Sequence, residues 1–262
     1  MSAAQADALV NQELQLADGV DAIITVTQSE AEIIRNRVGA SPVVLCHQVE
    51  LVDNTPEFGD RSGFLFVGRL LEKDSPNYEG LTWFIRSVWL MIRSQLGDVT
   101  LEVVGSLNGD HSELLAPGVR LVGKVEDLQP FYNRARVFVA PVRFAAGVPI
   151  KILDAGAAGL PVVATKLMAT LLGWEPDLEM VACDDPQEMA NAAIALYGDP
   201  ARWKAMQETV RHRLKQDHSR ARFRRELRAI LDGESEPGCA DTSKREIDAY
   251  RIARVNTVWN AD

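Results

Sequence analysis

The chain has 262 residues, 47% of them apolar, which is enough to bury one good core and leave room for attachments. Its formal charge of −9 argues against nucleic acid or an anionic membrane surface as the main partner, because phosphate backbones are bound by clustered Lys and Arg. Cys46, Cys183 and Cys239 are odd in number and scattered, which indicates neither a disulfide framework nor a zinc site and suits a reducing cytoplasm.

No apolar run approaches the roughly 20 residues that span a bilayer, and Met1–Asp7 has neither the basic region nor the apolar core of a leader, so no transmembrane segment is expected. Phe64–Val67, Val99–Val104, Val119–Val122, Val137–Ala140, Pro161–Ala164 and Glu179–Ala182 read as short strands. Helical patterns lie between most of them, over Gly80–Gln95, Glu126–Arg134 and Ile150–Ala158. Two more, Pro186–Tyr197 and Pro200–Lys215, follow the last strand and are separated by Gly198-Asp-Pro200. This alternation predicts an α/β fold: a parallel sheet of about six strands with helices on both faces. The basic stretch Arg211–Arg228 is interleaved with Asp217 and Glu226 and reads as a solvated helix face. Asp232–Asp241 is rich in breakers and acids and reads as a linker, and Ser243–Val258 as a further helix.

Ligands of such sheets bind beyond the carboxyl ends of the strands, so the loops after Val67, Val104, Val122, Ala140 and Thr165 matter most. The stretch Arg143–Thr165 is the most informative. A helix starting near Val148 places Pro149 in its first turn, where the missing N–H is harmless, and leaves the free amides of that turn to meet an anion. Gly147 lets the backbone approach a phosphate. Lys151 and Asp154 follow on one helical face, roughly 4.5 Å apart along the axis, which suits a cation on a diphosphate and a carboxylate on ribose hydroxyls. The same spacing equally fits a solvated ion pair in an ordinary crossover. In the loop after Val67, Gly68 permits close approach, while Arg69 and Lys73 place cations at the strand mouth. Lys73 stands between Glu72 and Asp74 and fits a plain surface charge as well. Arg143 faces either a ligand or an ion-pair partner in another domain, and Trp83, Phe84 and Trp89 read as packing residues. None of the four histidines has a plausible nucleophile or metal partner, so no catalytic histidine is assigned.

Gly147, Lys151, Leu153-Asp-Ala155 and Ala158–Thr165 resemble the donor-binding signature of the group 1 (family 4) glycosyltransferases, which have the two-domain GT-B fold. Gly68-Arg-Leu70 resembles the family's diphosphate segment, and the Pro-Asn and Trp-Phe pairs of Ser75–Phe84 resemble a subset of its members. The likeness runs over roughly residues 15 to 230. It implies a Rossmann-like C-terminal domain that binds a nucleotide-sugar, with Arg69, Lys73 and Lys151 neutralising the leaving diphosphate as the catalytic groups. Gly68, Gly105, Val125, Gly147, Val148 and Asp154 would line the nucleotide, Val125 at the base and Asp154 at the ribose; Val125 also fits a surface turn before a capped helix. The family's signature carries two glutamates seven residues apart. Here the second falls on Asp154, and the first, the sugar-side contact, falls on Ala146, which has no carboxylate. A subset with the form Gly-x-x-x-Lys-x-x-Glu shares the lysine.

The resemblance also sets the expected organisation. Val20–Thr27, Gln28–Ile34 and Pro42–Leu45 look like the end of the family's N-terminal domain. Residues 1–58 are thus expected to be a remnant of the acceptor domain with its linker, 59–232 the donor domain, and 233–262 an acidic linker and C-terminal helix. Sugar transfer with retention, no metal, no cofactor beyond the nucleotide-sugar substrate, and a separate acceptor subunit or a homo-oligomer are implied with it. A cytoplasmic protein, peripheral to the inner membrane at most through a partner, would follow. Two functions remain open: the donor half of a glycosyltransferase, or a nucleotide-sugar binding module without turnover.

Overall fold

The computed structural model describes residues 20–232 apart from 21, 40 and 146. Ala146, most of the acidic stretch after Asp232 and the helix expected over Ser243–Val258 lie outside the described residues. The chain divides into two compact units: one spans Gln48–Arg220, and the described residues up to His47 and from Ala221 onward fall in the other.

In the latter unit, β1 (Ile24–Thr25) and β2 (Val43–Val44) pair in parallel, with Ile24 opposite Val43. The helix α1 (Gln28–Val38) connects them. Its start is fixed by Thr27, whose hydroxyl accepts from the Glu30 amide at 3.2 Å, and its end by Gly39 in the left-handed region at φ 67°.

The larger unit is built on six parallel strands: β3 (Phe64–Val67), β4 (Leu101–Val104), β5 (Val119–Gly123), β6 (Val137–Ala140), β7 (Val162–Ala164) and β8 (Val181–Ala182). Their spatial order is β5-β4-β3-β6-β7-β8. The six expected strands are all present, with ends shifted by up to two residues. β6 and β7 are buried along their whole length, as strands covered on both faces must be. After β3 comes one continuous helical stretch: α2 (Pro76–Phe84), a π-helical turn (Ile85–Trp89) and α3 (Leu90–Leu96). It starts earlier than the apolar pattern indicates, because Ser75 caps it by accepting from the Tyr78 amide at 3.3 Å and Pro76 occupies the first turn. The π turn sits where Trp89 is buried, its indole N–H donating to the Pro117 carbonyl at 2.9 Å.

The remaining helices are α4 (Gln129–Arg134), α5 (Ile150–Ala157), α6 (Lys166–Leu172), α7 (Pro186–Gly198), α8 (Pro200–Asp217) and α9 (Arg220–Leu231). α3 and the π turn pack on α7, α5 packs on α8, and α7 touches α8; α9 from Ala221 onward falls in the other unit. Asp185 and Asp199 cap α7 and α8 through bonds of 2.9 to 3.0 Å to amides of the first turn. The basic stretch does not form one solvated face. It is broken between α8 and α9, and Arg211 donates to the Ala157 carbonyl at 3.1 Å, Arg213 pairs with Asp217 at 2.5 Å, and Arg222 with Glu226 at 2.6 Å.

Residues ahead of β3 from Gln48 onward belong to this compact unit as well. The Val49 amide bonds to the His218 carbonyl and the Val52 amide to the Ala157 carbonyl, and Leu51, Val52 and Phe58 pack on the core. Arg61 closes this region from within. It is 1% exposed, and it donates to the carbonyls of Pro56 at 2.8 Å, Tyr132 at 2.6 Å, Ala135 at 3.1 Å and Ala158 at 3.1 Å. Burial pulls its guanidinium down to about 10.

Candidate functional site

The strand order reverses at one place. From β3 the chain moves outward through β4 to β5, then returns to the other side of β3 and moves outward again through β6, β7 and β8. In an open parallel sheet the crevice at such a reversal, beyond the carboxyl ends, is where ligands sit. The two loops that border it here are Gly68–Ser75 after β3 and Pro141–Pro149 after β6. These carry Gly68, Arg69, Lys73, Gly147 and Val148, and the second leads directly into Lys151.

The backbones meet closely at this point. Gly105 has φ 146°, and a Cβ there would lie 1.9 Å from the Gly68 carbonyl oxygen, so the turns after β3 and β4 fit together only without a side chain. Gly147 adopts φ 76°, the left-handed conformation that glycine takes freely. On α2, a Cβ at Gly80 would lie 2.3 Å from the Pro141 carbonyl oxygen, so the helix after β3 and the loop after β6 touch backbone to backbone.

The helix carrying Lys151 and Asp154 begins two residues later than the expected start at Val148. Pro149, at φ −76° and ψ 73°, is its cap and not part of its first turn. The Ile150 amide is taken by the Val148 carbonyl at 2.8 Å and the Ile152 amide by Pro149 at 2.9 Å, so this terminus offers fewer free amides than expected. The positive character of the site therefore rests more on side chains.

Four cations of the two loops and α5 differ in their surroundings. Lys151 reaches back toward β3: its ammonium donates to the Asn77 side-chain carbonyl and lies 5.1 Å from the centroid of Phe66. The residue as a whole is partly exposed, the ammonium is enclosed, and desolvation pulls it down to about 8. Among the described residues no carboxylate pairs with it, so it forms no ion pair with Asp154. Lys73 is engaged on the surface: it pairs with Glu113 at 2.9 Å, and that carboxylate also holds Arg86 at 3.0 Å. The bond to Glu113 raises Lys73 and lowers Glu113. Arg143 pairs with Glu79 of the same unit at 3.2 Å and lies over Trp83 at 5.4 Å. Arg69 is exposed, and among the described residues it has no ion-pair partner.

Asp154 is exposed and near Tyr132, whose hydroxyl is raised by burial first and by this carboxylate second. Val148 and Val125 are both partly buried against the core. Val125 follows β5, two strands away from β3, which at about 4.8 Å per strand puts it on the order of 10 Å along the row of strand ends. Gly68, Gly105 and Lys151 are thus brought together at the reversal, while Val125 marks the far end of the row and Asp154 lies to its side. In the sequence, Asn77 figures only within the Pro-Asn pair of the family resemblance, with no role toward Lys151, and Phe66 only as a strand residue. The available signal was the Ser-Pro-Asn start of α2, which sets an amide side chain at the mouth of β3.

An α/β unit on a six-stranded parallel sheet flanked by helices is the Rossmann-like architecture of GT-B proteins. Residues 61–199, more than half of the chain, match the model of the glycosyl transferases group 1, and the chain belongs to that family. A phosphatidyl-myo-inositol mannosyltransferase of Propionibacterium freudenreichii is 26% identical over 166 residues, covering 60% of this chain and 41% of that protein. Among solved structures, TarM of S. aureus superposes with a TM-score of 0.69 at 13% identity, over 86% of this chain and 46% of TarM. Anabaena Alr3699/HepE, solved in complex with UDP and glucose, gives 0.64 at 15% identity over 84% of this chain and 67% of its own. The chain spans about two fifths of the length of the mannosyltransferase it matches. Among the described residues, no helix is long and apolar enough to cross a membrane.

Proposed function

We propose that this chain is the donor half of a glycosyltransferase, binding a nucleotide-sugar across the carboxyl ends of its strands. In this reading the base lies by Val125, the diphosphate at Gly68, Gly105 and Gly147 under Lys151 and Arg69, and the ribose hydroxyls reach Asp154. The observation that carries it is Lys151: an enclosed ammonium with no carboxylate partner among the described residues, standing at the sheet reversal beside glycines that keep side chains out of the way. An enclosed cation without a counterion is costly to keep, and an anionic ligand removes that cost.

The chemistry follows. The bond between the sugar's anomeric carbon and the terminal phosphate oxygen breaks, its electron pair leaves on the diphosphate, and an acceptor hydroxyl bonds to the carbon and passes its proton to the departing diphosphate oxygen. Lys151, Arg69 and Lys73 stabilise the charge that grows on the leaving oxygen. Lys73 has to exchange Glu113 for phosphate to take part. The acceptor would come from a further domain or subunit, and retention of configuration follows the family.

A second reading, a nucleotide-sugar binding module without turnover, is favoured by Ala146, where a family member has its sugar-side carboxylate. A thermal-shift and calorimetry panel of UDP, GDP, ADP and dTDP tests what the two readings share. One of them is expected to raise the melting temperature, and Lys151→Ala to weaken its binding; no shift and no heat with any of the four, at millimolar concentration, refutes both. Slow hydrolysis of the matching donor sugar, lost in Asp154→Ala, favours the enzyme, and binding without hydrolysis favours the module.

A further inference from the structure

We propose that Asn77 is a positioning residue for Lys151: its side-chain carbonyl fixes the ammonium at the mouth of β3 without neutralising it, so that a diphosphate is the first anion it meets. The proposal rests on the donor-binding reading above and names a residue whose part in it is indirect.

Three observations support it. Asn77 is held by its backbone, one residue after Pro76 and two after the capping Ser75, so its side chain leaves the helix at a fixed place. The packing around it is tight: a Cβ at Gly68 would come within 3.1 Å of the Asn77 amide carbon and nitrogen and 3.0 Å of the Phe66 ring. Gly68 thus leaves room for the two groups that hold Lys151, in addition to any approach of a ligand. Among the described residues, the carboxylates of the packed elements are engaged with other groups or lie near them, and none pairs with Lys151. Glu79 on α2 is turned to Arg143, Asp154 on α5 lies near Tyr132, and Lys73 has Glu113.

The choice of an amide is chemical. Asparagine and aspartate have the same shape, and both accept from an ammonium, but aspartate also cancels its charge. With the amide, burial alone acts on Lys151 and pulls it down to about 8. A bound diphosphate would restore the proton, so binding above that pH takes up a proton from solution. With a carboxylate at 77 the lysine is charged at every pH of interest, and its charge is already spent.

Asn77→Asp is the decisive variant, since aspartate in a first helical turn is favourable and the fold is expected to survive. Two measurements on the full chain are needed. The first follows the lysine Cε signals by NMR against pH without ligand, with Lys151 assigned by its loss in Lys151→Met. Lys151 should titrate near 8 in the wild type and at distinctly higher pH in Asn77→Asp. The second is calorimetry with inorganic pyrophosphate and UDP at about pH 8.5, in buffers of different ionisation enthalpy. The wild type should take up most of a proton, and Asn77→Asp almost none, with binding weaker by about tenfold. Lys151 titrating at the same pH in both proteins, or equal affinity and equal proton uptake, overturns the proposal. If neither ligand binds the wild type, the donor reading falls, while the NMR titration still decides the role of Asn77.

Discussion

Lys151→Met should make the protein more stable near neutral pH, although a side chain with a hydrogen bond is being removed. Enclosing the ammonium brings it from its ordinary 10.5 to about 8, which at about 1.4 kcal/mol per tenfold costs the charged form roughly 3 kcal/mol. Methionine fills a similar volume and has no charge to enclose. Against that gain stands the Asn77 carbonyl, which loses its donor at a cost of roughly 1 kcal/mol. The net is about 2 kcal/mol, or roughly 4 to 8 °C in the melting midpoint of a chain this size. The sign with pH is fixed by linkage. The unfolded chain keeps the lysine proton up to about 10.5, and the folded chain releases it from about 8. Between those values the unfolded state binds more protons, so wild-type stability rises with pH. The advantage of the variant is then full at about pH 7 and fades as the pH approaches about 10.5. Urea unfolding followed by circular dichroism, for both proteins at the two ends of that range, measures it. A variant less stable than the wild type at neutral pH, or a gain of equal size at both ends, refutes the reasoning.

Arg61→Leu leaves four buried or partly buried carbonyls without their donor, at about 1 to 3 kcal/mol each, and removes the roughly 3 kcal/mol cost of enclosing a guanidinium drawn from 12.5 to about 10; a net loss of at least about 1 kcal/mol is expected, and unchanged or raised stability in urea unfolding would show that water replaces the guanidinium. For Gly80→Ala two effects oppose each other. Helix propensity favours alanine by about 1 kcal/mol, while a Cβ 2.3 Å from the Pro141 carbonyl forces the loop away, at a typical cost of about 1 to 3 kcal/mol. A lower melting temperature is expected, and a higher one would mean that the loop after β6 yields freely.

The sheet was legible because strands buried on both faces are short apolar runs, and Phe64–Val67 and Val137–Ala140 end where the pattern ends. α6 was not legible: Lys166–Leu172 is a short apolar stretch directly after β7, and its periodicity is lost in such a run. The start of α5 was misplaced by two residues because proline is at home both in a first turn and just before it, and only the observed ψ of 73° decides. The glycines and Lys151 could be named from spacing, but the company Lys151 keeps could not. Asn77 is 74 positions away from it and Glu113 is 40 from Lys73, and no local rule links residues that far apart. The sequence pattern shows which cations line the strand ends; the fold decides which of them are already occupied.

That division has a consequence in ionic strength. Lys73, Glu113 and Arg86 form their triad in open water, where Lys73 is 57% exposed, and exposed ion pairs of this kind contribute little and weaken as salt screens them. The enclosed contact of Lys151 is not reached by that screening. Adding salt should therefore loosen the hold of Glu113 on Lys73 and weaken the pull of Lys73 and Arg69 on a diphosphate, while leaving the share supplied by Lys151. The cradle would then keep a salt-resistant affinity set by one buried charge, with the surface cations adding a part that rises and falls with the medium.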